Sequence, residues 1–74
     1  MEANDITPGQ MLKKLRLVAG LSIADLARSA SVSESQISRV ENGRVRPTRI
    51  WIARVTKAIS GHLTDSANDM RIPA

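Results

Sequence analysis

The chain has 74 residues, with 11 Lys and Arg against 7 Asp and Glu, a formal net charge of +4 and no cysteine. That length suits one small domain whose core must be aliphatic, since there is no Phe or Tyr and only one Trp, and neither disulfides nor thiolate metal sites can reinforce it. The basic balance favours an anionic partner, and the longest apolar run, Ile50 to Ala53, is far too short to span a membrane.

The opening MEANDIT lacks the basic and apolar regions of a secretion signal, so a cytoplasmic protein is expected. Residues 1–6 are expected to be a flexible lead, acidic through Glu2 and Asp5 and so poorly suited to wrap a polyanion. Thr7 as cap, Pro8 in the first helical position and Gln10 two further on mark the start of a first helix. Leu12 and Leu15, with Met11 and Val18 beside them, are expected to form its buried face, and Gly20 to end it. Lys13, Lys14 and Arg16 lie on its other sides.

Ser22 and Asp25 form a Ser-x-x-Asp capping box for a second helix, in which Leu26, Ala27 and Ala30 share a face. Ser33 and Gln36 repeat the device almost at once, so only a sharp turn, Ser29 to Val32, separates this helix from the third. Val32 is placed to act as an apolar staple. The third helix is expected over 34–42, closed by Gly43 in a left-handed conformation. At 100° per residue Ile37 and Val40 face inward with Glu41 at the edge, while Ser35, Arg39 and Asn42 face outward with Ser38 beside them. Gln36 falls on a flank and Glu34 near the exposed start.

From Arg44 to Lys57 there are five basic residues (Arg44, Arg46, Arg49, Arg54 and Lys57) and no acidic one. Pro47 and Thr48 open a fourth helix expected to stop at Gly61, with Ile52, Val55 and Ile59 inward, Trp51, Val55 and Ala58 as a flanking stripe and Ile50 outward. In the tail, Thr64 or Asp65 can cap a short fifth helix carrying Ala67 and Met70, with Leu63 and Ile72 helping to bury it. His62, the only histidine, is expected at the surface. The resulting plan is an all-α fold of four to five helices: a lead over 1–6, a domain over 7–61, and a tail or short helix over 62–74. The initiating Met and this closed helical plan favour a complete chain.

The stretch from Leu21 to Gly43 resembles the helix-turn-helix of the phage-repressor and Cro-like family, also called lambda-repressor-like or XRE. Leu21, Ser22, Leu26, Ala27, Val32, Ser33, Ile37, Ser38, Glu41, Asn42 and Gly43 carry the likeness, which covers about Leu12 to Ile59. Two positions depart from it: Ser31 stands where the turn usually has glycine, and Ile23 where a phosphate-holding glutamine is common. The resemblance implies that Glu34, Ser35, Gln36 and Arg39 face base edges in the major groove. It also implies that the loop and start of the fourth helix lie on the sugar-phosphate backbone, and that Arg16 pairs with Glu41 to position the third helix.

Arg39 has the donors for guanine, Gln36 the paired donor and acceptor for adenine, and Glu34 the acceptor for cytosine. Ser33, Ser38, Arg44, Arg46, Thr48, Arg49 and Lys13 are the expected phosphate contacts, adding salt-dependent attraction. One small helix reads few base pairs, so a homodimer on a palindrome is expected, with Ile50, Trp51, Leu63 and Met70 as dimer contacts. The expected function is a transcriptional regulator, a repressor where its site overlaps a promoter. The length leaves no room for an effector domain, so control by concentration or a partner protein is expected. The competing reading is an antitoxin or interaction adaptor, favoured by Glu34, Ile23 and the Ile50–Trp51 pair, with a toxin as the protein partner; a regulator that activates would instead touch RNA polymerase. No enzyme, metal site or cofactor is expected, because nothing here assembles a nucleophile with its base.

Overall fold

Each of the first three helices starts on a hydroxyl. Thr7, Ser22 and Ser33 accept the backbone N–H of Gln10, Asp25 and Gln36, whose side chains in turn accept the N–H of the capping residue. The protein, described by a computed structural model over residues 6–69, is built from helices with no strand among those residues. The elements are α1 (Pro8–Val18), α2 (Ile23–Ala30), α3 (Glu34–Glu41) and α4 (Arg49–Asp69). Most of the acidic lead, together with Met70 and Ile72, lies outside the described residues.

The helix ends share one closure. After α1 and α3, Gly20 and Gly43 take left-handed φ of 74°, and the residue beyond each returns its N–H to a carbonyl five positions back: Leu21 to Arg16, Arg44 to Arg39. After α2 the same bond runs from Val32 to Ala27, but the left-handed residue is Ser31, at φ 57° and ψ 45°. Its side chain crowds the following carbonyl, a strain glycine avoids at the cost of extra unfolded-state entropy. Ser31→Gly is therefore expected to raise stability by about 0.5–1 kcal/mol, read as a higher urea midpoint with an unchanged slope.

α1 packs on α3, α2 packs on both α3 and α4, and α1 also meets α4. The core is aliphatic, with Leu12, Leu21, Leu26, Ile37, Val40, Val55 and Ile59 buried. Leu26, Ile37 and Val55 are fully enclosed, each worth about 1.5–3 kcal/mol of apolar transfer.

Three expectations need correction. The buried face of α1 is Gly9, Leu12 and Arg16, whereas Met11, Leu15 and Val18 are exposed, Val18 by 76%. The stripe that meets α3 is set by close approach at Gly9 and by an ion pair at Arg16, neither of which reads as apolar. On α4, Trp51, Ile52 and Ala58 are all half-buried, but Trp51 and Ala58 pack against the core beside the buried Val55 and Ile59, and Ile52 is not among the residues packed there. Gly61 does not stop α4, which continues as one helix through Thr64 and Asp65 in place of a separate fifth helix. A glycine ends a helix by turning left-handed; Gly61 does not, and His62 beside it is half-buried.

Gly61 is exposed mid-helix, with open space where a Cβ would stand. Gly61→Ala should therefore stabilise the protein by about 0.5–1 kcal/mol through backbone entropy alone, measurable as a higher Tm.

Candidate nucleic-acid interface

The turn and caps just described fix α3 with Ile37, Val40 and Glu41 inward, so its other face is presented to solvent. Ser33, Glu34, Ser35, Gln36 and Arg39 are exposed, and Ser38 is half-buried. Three of these side chains, Ser33, Gln36 and Ser38, are already engaged, Gln36 Oε1 accepting the Ser33 N–H at 3.3 Å. Ser33 Oγ accepts the Gln36 N–H at 3.0 Å, and the Asn42 side-chain amide donates to the Ser38 carbonyl at 2.9 Å and to its hydroxyl at 3.4 Å. Because the Ser33 hydroxyl accepts in its cap, its own proton remains free to donate to a phosphate.

Glu41 is buried because it has a partner. Arg16 Nε donates to Glu41 Oε2 at 2.8 Å and Nη2 to Oε1 at 2.9 Å, a two-pronged contact, while Nη1 donates to the Leu21 carbonyl at 2.9 Å. Bonding to Glu41 holds the Arg16 guanidinium above its ordinary pKa, against an opposing effect of burial. One side chain thus ties α1 to the following turn and to α3. On α2, the Ser22 contacts hold the exposed Asp25 carboxyl below its ordinary range, with Arg28 adding a 2.9 Å contact. That cap contribution is present above the usual carboxylate pKa and fades as pH falls through the lowered value.

Past Gly43 the chain exposes Arg44, Arg46 and Arg49. Thr48 caps α4, its hydroxyl accepting the Trp51 N–H at 3.1 Å. Gln36, Arg39, Arg46 and Thr48 surround one hollow of about 210 Å³, with Val40, Val45, Pro47 and Trp51 as its apolar lining. Arg39 also borders a shallow groove shared with Glu34, Ser35, Ser38 and Ile23. Arg46, Thr48 and Arg49 meet again around a third concavity beside Pro8. The structure therefore gathers most of the proposed reading and phosphate residues on adjoining surfaces, with Arg39 shared by two of them. Among the described residues, none of Arg39, Arg44, Arg46 and Arg49 is taken up in an ion pair.

Other residues stand apart. Lys13 lines a separate hollow on α1 with Gln10, Lys14 and Leu17. Of the residues assigned to a dimer contact, Ile50 is 76% and Leu63 40% exposed, but they lie about 140° apart around α4 at 3.6 residues per turn. Met70 is outside the described residues. Trp51 packs partly on the core, and its indole N–H donates to Gln36 Oε1 at 3.3 Å. Sequence reasoning missed this last contact. The only signal was that a half-buried indole N–H needs an acceptor.

Among the described residues no helix is long and apolar enough to cross a membrane. No curated protein and no solved structure matches the chain. A family model described as a helix-turn-helix domain matches residues 9–61, from the first turn of α1 into α4. That match covers most of the chain and includes the turn, α3 and the arginine-bearing loop, and it supports DNA as the partner. The chain belongs to the helix-turn-helix domain family.

Proposed function

We propose that this protein is a sequence-specific regulator of the phage-repressor and Cro-like type. It binds double-stranded DNA as a homodimer on a palindromic operator and represses where that operator overlaps a promoter. The observation that carries the reading is the outer face of α3 adjoining an acid-free arginine loop, with Gln36, Arg39, Arg46 and Thr48 around one hollow. Glu34, Ser35, Gln36 and Arg39 supply base contacts, while Ser33, Ser38, Arg44, Arg46, Thr48, Arg49 and Lys13 hold phosphates. Two copies meeting through α4 set their reading helices about one DNA turn apart. The role is one of binding and needs no catalysis or cofactor.

The test is selection of bound duplexes from a random pool near physiological salt. Arg39→Ala is expected to relax base preference at one position of each half-site, at about 1–3 kcal/mol per lost two-pronged contact. Arg46→Ala should instead weaken all duplexes alike and lower the salt slope by about one unit. Equal losses from Arg39→Ala on specific and random DNA would remove it from the base-reading set, and an unchanged slope would remove Arg46 from the phosphate set.

A second reading, an antitoxin or adaptor that binds another protein, is favoured by the exposed Ile50 at the start of α4. Recovery of no preferred sequence, together with a co-purifying protein protected at Ile50, would select it.

A further inference from the structure

We propose that Trp51 is a positioning residue that makes Gln36 a donor-only reader of the major groove, favouring guanine or thymine and giving adenine no advantage. This inference rests on the DNA-binding reading above. Gln36 Oε1 receives two N–H groups, the Ser33 backbone and the Trp51 indole, each at 3.3 Å. Both are donors with nothing to accept, so the amide nitrogen cannot take the oxygen's place. The orientation of an amide that is often ambiguous is set here by its neighbours.

A carbonyl oxygen has two lone pairs, and both are used. Gln36 is left with its NH₂ to offer a base. Adenine is read by donating to N7 while accepting from the N6 amine, and the accepting half of that pair is already occupied. Guanine presents two acceptors, N7 and O6, and thymine presents O4; cytosine shows the N4 donor, which repels an NH₂. Trp51 can impose this because it is itself held. Its ring packs against the core and its backbone N–H is bonded to Thr48 Oγ1 at 3.1 Å.

The experiment compares duplexes selected from a random pool by wild type, Trp51→Phe and Gln36→Glu. The first variant keeps an aromatic ring and removes the N–H. It should raise the acceptance of adenine roughly tenfold at the base pair facing Gln36, while the rest of the site is selected as before. The second keeps oxygens for the cap and the indole but has no donor, and should shift the same position toward cytosine. A folded Trp51→Phe protein with unaltered preference overturns the proposal, as does a Gln36→Glu protein that still selects guanine or thymine there.

A measurement without DNA separates the two levels of the argument. In ¹H–¹⁵N spectra, Gln36→Ala should move the Trp51 indole resonance and speed its exchange with water. An unmoved indole signal overturns the proposal whatever the DNA result, and it decides the matter if Trp51→Phe does not fold. A moved signal with no sequence preference in the wild-type pool overturns the DNA-binding reading, and this assignment falls with it.

Discussion

Replacing Gly9 with alanine is expected to destabilise the protein by about 3 kcal/mol or more, enough to leave a domain of this size largely unfolded at elevated temperature. A Cβ at this position would stand 1.9 Å from the Val40 carbonyl oxygen, 2.8 Å from its carbon and 3.2 Å from Glu41 Cα. All three are backbone atoms at the end of α3, so no side chain can swing aside. Relief requires α1 to lift from α3, which loosens Leu12 and lengthens the Arg16–Glu41 contact together. At roughly 4–8 °C per kcal/mol for a domain of 60–100 residues, the loss should lower Tm by well over 10 °C. Thermal unfolding followed by far-ultraviolet circular dichroism checks this. An unchanged Tm would mean that α1 does not sit on the α3 backbone. Gly61→Ala is the matched control: the same substitution, on an exposed turn of α4, with the opposite sign expected.

The second large effect belongs to Glu41. Glu41→Ala leaves the Arg16 guanidinium enclosed with only the Leu21 carbonyl as its partner, and should cost about 3–5 kcal/mol. Loss of the proton offers no escape, because an arginine stays charged at any working pH. The pair as a whole is worth far less than either half, since its attraction is largely offset by removing both charges from water. Arg16→Met with Glu41→Leu should therefore be more stable than Glu41→Ala alone. Urea unfolding of wild type, Arg16→Met, Glu41→Leu and the double variant measures the coupling directly. Strict additivity would show that the contact contributes nothing beyond its parts.

What could be read from the sequence was local. The three capping pairs were legible because each is a hydroxyl and an acceptor three residues apart, and the structure forms all three. Ile37 and Val40 were legible as the inward face of α3, since two caps leave little choice of phase for a short helix. Glu41 was placed by periodicity only at the edge of the core; its pairing with Arg16 came from family resemblance, and the structure forms that pair.

What escaped was tertiary. Met11, Leu15 and Val18 are as apolar as a buried face should be, but Gly9 and Arg16 decided which side of α1 could approach α3. Gly61 looked like a terminator because the same residue can end a helix or merely weaken one, and only the backbone conformation distinguishes them. In the candidate site, the exposure of Glu34, Ser35, Gln36 and Arg39 was foreseeable, whereas the Trp51–Gln36 contact joins residues on different helices, and the indole's need of an acceptor does not say which residue supplies it.

The closure between α2 and α3 also limits how the chain can change in length. Ser31 carries the left-handed turn, Val32 is half-buried and returns its N–H to Ala27, and Ser33 caps α3, so no residue of the connection is spare. One inserted residue would turn α3 by about 100° about its axis, carrying Ile37 off the core and bringing Gln36 and Arg39 to the places that Ile37 and Val40 fill. The connection from Arg44 to Pro47 is different: it is largely exposed, and among the described residues only the Arg44 N–H is tied back to a helix carbonyl. Lineages of this domain should vary in length after Gly43 and hold the count between Ser22 and Gly43 constant, even where the residue types drift.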